Sequence, residues 1–148
     1  MGSQDTKLSD SEISISLTAN LRLVRPLRHF LTALCSLAKY SEEERDTLAL
    51  VVTEVLNNSI EHGCTEPSDE VKLSFLVQPD RFQFEVSDAG RGGPKFAETA
   101  LERAKKMPGL EEPRGRGLYL IRSYMDVMEV TFTEDTGTRV FISKSRTP

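Results

Sequence analysis

Cysteine is scarce in this chain: Cys35 and Cys64 are the only two, and no C-x-x-C pair occurs. That excludes a disulfide scaffold and a cysteine-built zinc site. Buried thiols in a reducing cytoplasm are the expectation. Long apolar runs are also missing. The longest is Leu48-Ala49-Leu50-Val51-Val52, far short of the roughly 20 residues needed to cross a bilayer, so no membrane association is expected. The N-terminus, Met1-Gly2-Ser3-Gln4-Asp5, is polar and lacks a signal-peptide core. Met1-Gly2-Ser3 reads as a cloning remnant, and Gly2 with Thr6 matches only a loose myristoylation pattern. There is no excess of positive charge. The net charge is -4 and the pI near 5.3, which argues against a nucleic-acid partner. Neither a G-x-x-x-x-G-K-[ST] loop nor a G-x-G-x-x-G fingerprint is present.

What remains is a mix typical of a globular protein, with 38% apolar and 28% charged residues over 148 positions. That length suits one domain. Residues 1–10 read as a disordered lead-in or tag, and 11–146 as the single domain. Glu12-Ile13-Ser14-Ile15-Ser16-Leu17 alternates with the period of a strand. Asn20 can cap a helix through about Leu37, with Leu23, Leu27, Phe30, Leu31 and Leu34 on one stripe and Pro26 in its early turns. Ser41 and Glu44 form a capping box that opens a long helix ending near Gly63. Leu48, Val52, Val55, Leu56 and Ser59 give that helix its inward face.

Residues 71–77 and 81–86 read as strands turning at Pro79-Asp80. A short helical pattern covers 96–106, a loop 107–113, and a further helix 117–125. A last hairpin joins 127–132 to 138–142 around Asp135-Thr136-Gly137. An antiparallel-rich sheet with helices on one face would bury all these stripes.

Three stretches carry the chemistry. In Glu54-Val55-Leu56-Asn57-Asn58-Ser59-Ile60-Glu61-His62-Gly63, Glu54 and Asn58 are one helical turn apart on one face. A neutral amide oxygen suits Mg2+, and a carboxylate beside it can take a proton from a hydroxyl. Asparagine is a poor helix former, so a pair of them in mid-helix points to a use. His62 lies one turn further on and could reach a phosphate. In Asp88-Ala89-Gly90-Arg91-Gly92 an acid ends an apolar strand, where burial demands a donor partner. The exocyclic amine of adenine is one, and Gly90 and Gly92 let the backbone approach a flat base. In Arg114-Gly115-Arg116-Gly117-Leu118 glycines and arginines precede a helix, whose N-terminus favours an anion. Gly137-Thr138 opens the last strand, and the Thr138 hydroxyl could share a water with Asp88 at the adenine.

Each stretch alone is also compatible with a solvated helix face or a glycine turn. In this order and spacing they resemble the three nucleotide-binding boxes of the GHKL ATPase superfamily, which includes Hsp90, gyrase B, MutL and the histidine kinases. The nearest likeness is to the small bacterial anti-sigma-factor serine kinases, and it runs from about Glu12 to Lys144. The resemblance implies an α+β Bergerat sandwich, with a mixed, mostly antiparallel sheet and helices on one face. It implies ATP and Mg2+ as cofactors, with Asn58 as the metal ligand and Glu54 as the catalytic base. Asp88 with Thr138 would read adenine, and Gly90 and Gly92 would shape its pocket. His62, Arg114, Gly115, Arg116, Gly117 and Leu118 complete the nucleotide site, beneath a lid running from about Gly93 to Arg114.

The implied partners are a sigma factor, gripped in part by Arg25, and a STAS-domain anti-anti-sigma factor, with a homodimer as the assembly. Two features depart from the family pattern. Gly93-Pro94 replaces an apolar residue, and no serine or threonine lies between Thr99 and Ser123. Two other readings remain. One is a nucleotide-regulated binding module without turnover. The other is a detached histidine-kinase domain, ranked below because His29, between Arg28 and Phe30, lacks the acidic neighbour of a phosphoacceptor.

Overall fold

A computed structural model describes residues 12–95, Glu98, Glu102 and residues 116–147. The expected lead-in, most of the 96–106 helix, the 107–113 loop, Arg114 and Gly115 lie outside the described residues.

The first strand, β1, runs Glu12–Thr18. The Asn20 side chain then accepts the Arg22 N–H and starts a 3-10 turn, Leu21–Leu23, that leads into α1, Val24–Leu37. The cap is where the sequence puts it, but the first turn is wound tighter than an α-helix. Pro26 falls within the opening turn of α1, where its missing N–H costs nothing. The buried stripe is Val24, Leu27, Leu31, Leu34 and Cys35. Phe30 is a correction to the sequence stripe: it is 39% exposed and meets Phe75 only at 6.4 Å between ring centroids. Leu23, in the 3-10 turn, is half-buried. The tighter turn changes the phase of the helix, so Val24 takes the core position expected of Leu23.

Helix α2, Glu42–His62, begins at the expected capping box. The Glu44 N–H donates to Ser41 Oγ at 3.1 Å and the Ser41 N–H donates to Glu44 Oε1 at 3.0 Å, satisfying two otherwise orphaned donors. Its buried positions include all five expected from the sequence, with Val51, Glu54 and Ile60 besides. Then follow β2, Glu70–Val77, and β3, Arg81–Ser87. Helix α3, Arg116–Tyr124, packs on α2 and leads to β4, Val127–Thr133, and β5, Gly137–Ser145. Gly137 belongs to β5 itself rather than to the turn before it.

The five strands form one sheet in the order β1-β2-β3-β5-β4. Every pairing is antiparallel, the fully antiparallel limit of the expected sheet. One face carries Val71, Leu73, Phe75, Val77, Phe82, Phe84 and Val86, all buried. The rings of Phe75 and Phe84 stack at 5.0 Å, opposite one another in the β2–β3 register. Burying each such ring contributes about 2–3 kcal/mol. The other face is mainly polar, as alternation on an antiparallel sheet dictates.

The order places β5 between β3 and β4. The last strand therefore returns to the middle of the sheet and pairs with β3 from Arg81↔Ser145 to Ser87↔Arg139. This single crossover brings the end of β3 beside the start of β5, where the candidate site lies.

Candidate nucleotide site

Asp88 follows the last residue of β3 and is 6% exposed. Its backbone N–H donates to the Thr138 carbonyl at 2.9 Å, extending the β3–β5 ladder by one rung. Its Oδ1 accepts the Gly90 N–H at 2.7 Å, a local turn typical of aspartate. Its Oδ2 is buried without a hydrogen bond, and so is Oγ1 of Thr138, itself 1% exposed. Two neighbouring buried polar atoms left unmatched are a substantial cost in a folded protein. A planar ligand edge carrying an N–H donor beside a ring nitrogen would satisfy Asp88 directly and Thr138 through a water. Adenine presents that edge.

Burial pushes the Asp88 carboxyl above the usual carboxylate range. The Gly90 N–H, the Ser59 hydroxyl and the Thr138 backbone pull against that rise. A bound amine donor would pull the same way, because hydrogen bonds to the charged form favour it.

Glycines pack closely around Asp88. Gly63 closes α2, and its N–H donates to Ser59 O at 2.9 Å. A β-carbon on Gly63 would fall 2.1 Å from Asp88 Oδ2. Gly90 has φ +73°, and a β-carbon there would lie 2.6 Å from the Gly137 Cα. Both positions are therefore closed to larger residues. Gly63, Ser59 and Gly137 were not singled out by the sequence as site residues. The spacing of Ser59 and Gly63, two small residues one turn apart at the end of a helix, was the available signal.

On α2, Glu54 is 9% exposed and Asn58 half-buried. They follow one another along the flank of the stripe that ends in Ser59 and Gly63. His62 continues that flank, half exposed, with Glu61 at 3.9 Å. A half-buried amide one turn from a buried carboxylate fits a divalent ion that arrives with its phosphates and waters. Among the described residues no three His, Cys, Asp or Glu side chains converge to hold a metal, so the donor set here is not an all-protein cage.

The backbone of α3 is helical from Arg116, one residue before the expected start at Gly117. The N–H groups of these two residues lie in the first turn, where helical partners are lacking and an anion is favoured. Arg114 and Gly115 lie outside the described residues, as does the Leu118 side chain. Gly92 sits in the turn after Gly90, and Arg25 is exposed on α1.

An unsatisfied acid and hydroxyl at a strand end, packed against glycines beside the end of α2, are what a ligand-binding domain would offer. Comparison with known proteins makes it specific. Residues 17–144 match the family described as "Histidine kinase-like ATPase domain", and the chain belongs to that family. It is 31% identical to the anti-sigma F factor of Oceanobacillus iheyensis over 103 residues, 69% of this chain and 70% of the relative. It is 29% identical to the serine-protein kinase RsbW of Listeria monocytogenes serotype 4a over 143 residues, 90% of this chain and 86% of the relative. The serine-protein kinase RsbW of Bacillus pumilus is 31% identical over 126 residues, 80% and 76% of the two chains.

Proposed function

We propose that this chain is an ATP-dependent serine-protein kinase and anti-sigma factor. In one state it sequesters a sigma factor, and in another it phosphorylates a STAS-domain anti-anti-sigma factor. The observation that carries the nucleotide half of this reading is the pair of buried, unmatched atoms, Asp88 Oδ2 and Thr138 Oγ1. The names of the relatives, anti-sigma F factor and serine-protein kinase, support the protein half.

In this reading Asp88 and Thr138 bind the adenine edge, Gly63 leaves room for the Asp88 carboxylate, and Gly90 and Gly92 shape the pocket for the base. Asn58 holds Mg2+ through its amide oxygen. Magnesium, when bound, neutralises phosphate charge. The first turn of α3, with Arg114, Gly115, Arg116, Gly117 and Leu118, cradles the phosphates, and His62 adds a donor. Glu54 is the base. As the serine oxygen of the partner bonds to the γ-phosphorus and the bond to ADP breaks, Glu54 accepts the hydroxyl proton. A nearly buried carboxylate is suited to that task, since proton transfer there does not compete with bulk water.

Residues 11–146 act as one domain, as a homodimer in the cytoplasm. Among the described residues no helix is long and apolar enough to cross a membrane. Arg25, exposed on α1, contributes to the sigma-factor surface.

The test is incubation with γ-labelled ATP and the STAS-domain protein recovered with this chain from its host. Label on a partner serine is expected from the wild type. Glu54→Gln should still bind Mg-ATP yet lose the transfer by about 100-fold or more, the usual scale of general-base catalysis. Full activity in that variant would sink the assignment of the base. No labelled serine with the wild type would leave a nucleotide-regulated binding module.

A further inference from the structure

An ion pair ties the second of the three motifs, through Arg91, to Asp69, a residue outside all of them. Asp69, in the segment between α2 and β2, is 9% exposed. Its Oδ2 accepts the backbone N–H groups of Thr65 and Glu66, each at 3.0 Å. Its Oδ1 accepts Arg91 Nη2 at 3.1 Å, and Arg91 Nε points at Oδ2 from 3.4 Å. The backbone N–H of Arg91 in turn donates to Gly63 O at 3.0 Å. Asp69 is also fixed by its own backbone: its N–H donates to Glu66 O, and its carbonyl accepts the Ala19 N–H beyond the end of β1, both at 2.9 Å.

These contacts close a ring at Arg91, which Asp69 holds from outside. Asp69 holds Arg91, Arg91 holds Gly63, Gly63 abuts the Asp88 carboxylate, and Asp88 leads through Gly90 back to Arg91. An exposed pair is usually worth little. This one is two-pronged, half of it is buried, and its acid also organises two backbone donors. The hydrogen bonds from Arg91, Glu66 and Thr65 hold the Asp69 carboxyl down to about 2, so the acid is ionised throughout the working range.

We infer that Asp69 and Arg91 are positioning residues for base recognition: their ion pair clamps the loop after α2 onto the loop after β3 and so fixes the unmatched oxygen of Asp88 at the adenine amine. This rests on the nucleotide reading above. Neither residue touches the base. Releasing the clamp lets Asp88 and Gly90 sample arrangements that do not fit adenine, and apparent affinity falls with the fraction of competent pockets. Selectivity falls as well, because preference for an amine over a carbonyl at that ring position requires the acceptor to be held still.

The experiment is calorimetric titration of Mg-ATP and Mg-inosine triphosphate into the full chain, with thermal melting alongside. The variants are Asp69→Asn, Arg91→Met, both together, Arg91→Lys, and Asp88→Asn as the reference. Asparagine at 69 can still accept from Thr65 and Glu66, so it removes the charge and keeps the turn. Arg91→Met should weaken ATP by roughly 5- to 30-fold and inosine triphosphate less, narrowing the ratio between them. Asp69→Asn should do the same, the double variant should be no worse than either single, and Arg91→Lys should recover part of the ratio. A purely structural pair would shift melting or weaken both nucleotides equally. An unchanged ratio in Arg91→Met and Asp69→Asn, with Asp88→Asn abolishing the preference, overturns this inference alone. A wild type with no preference for ATP and an inert Asp88→Asn overturns the pocket reading and this inference with it.

Discussion

Asp88 donates its backbone N–H to the carbonyl of Thr138 at 2.9 Å, while the side chains of the same two residues each keep a buried oxygen without a partner. The backbone is satisfied and the side chains are not. A strand end built this way is stable enough to persist and still has an interaction to offer, which is the property of a binding site rather than of a core.

The first prediction follows from that contrast. Because burial raises the Asp88 carboxyl, the native state binds a proton more readily than the unfolded chain. Its contribution is favourable below the unfolded value and is lost as pH rises through the folded one. At neutral pH the free carboxylate therefore destabilises the nucleotide-free protein. Asp88→Asn should raise the melting temperature near pH 7 and shrink that gain in acid. It should also weaken ATP by about 10- to 100-fold, since an amide N–H would face the adenine amine. Melting and ATP titration on the same samples check both signs; a lower melting temperature at pH 7 contradicts the account of the carboxyl.

Gly63→Ala sets local propensity against packing. Alanine is the better helix former by about 1 kcal/mol, and Gly63 has ordinary helical backbone angles. Its β-carbon, however, would overlap Asp88 Oδ2 at 2.1 Å. The expected outcome is a displaced carboxylate and at least a ~10-fold loss of ATP affinity. Unaltered ATP binding would mean that the Asp88 oxygen does not need its present place.

Asn58→Ala removes the proposed metal ligand without disturbing the buried stripe of α2. ATP affinity in magnesium should drop to about its value in chelator, a loss of roughly 10-fold or more. Titrations with and without the metal decide it, and the same magnesium dependence as the wild type counts against Asn58.

Away from the site, Glu44 joins three elements. It completes the capping box with Ser41 and takes Arg146 Nε at 2.7 Å and Nη2 at 3.0 Å, while the Arg146 guanidinium lies 3.8 Å from the Tyr40 ring. The Arg146 bond, with the Ser41 bonds behind it, holds the Glu44 carboxyl down to about 2. A depressed value contributes stability above the unfolded value of about 4.5 that is lost as pH falls through about 2. Glu44→Ala should cost about 2 kcal/mol at pH 7 and progressively less below pH 4.5. Urea unfolding at pH 7 and pH 3 measures the difference, and an equal cost at both values would separate Glu44 from the acid response.

Much of this was legible in the chain. The capping box placed α2 to the residue, because Ser41 and Glu44 satisfy each other without help from elsewhere. Strand alternation placed β2 and β3 within a residue, since one buried face enforces period two. Phe30 was misread because it sits at the edge of the α1 stripe, and apolar spacing does not say how wide a face the sheet covers. Gly63 was passed over as a helix terminator. Its close approach to Asp88 depends on an element that comes later in the chain. Asp69 carried no motif at all.

Sequence alone determined most of the elements, their caps and the residue types proposed to bind a metal nucleotide, because those depend on neighbours within one or two turns. Tertiary structure decided that β5 returns between β3 and β4, which seats Thr138 beside Asp88 and packs Gly63 against its carboxylate. Strand order and antiparallel register are set by which buried faces fit together across the whole sheet, and no local spacing carries that information.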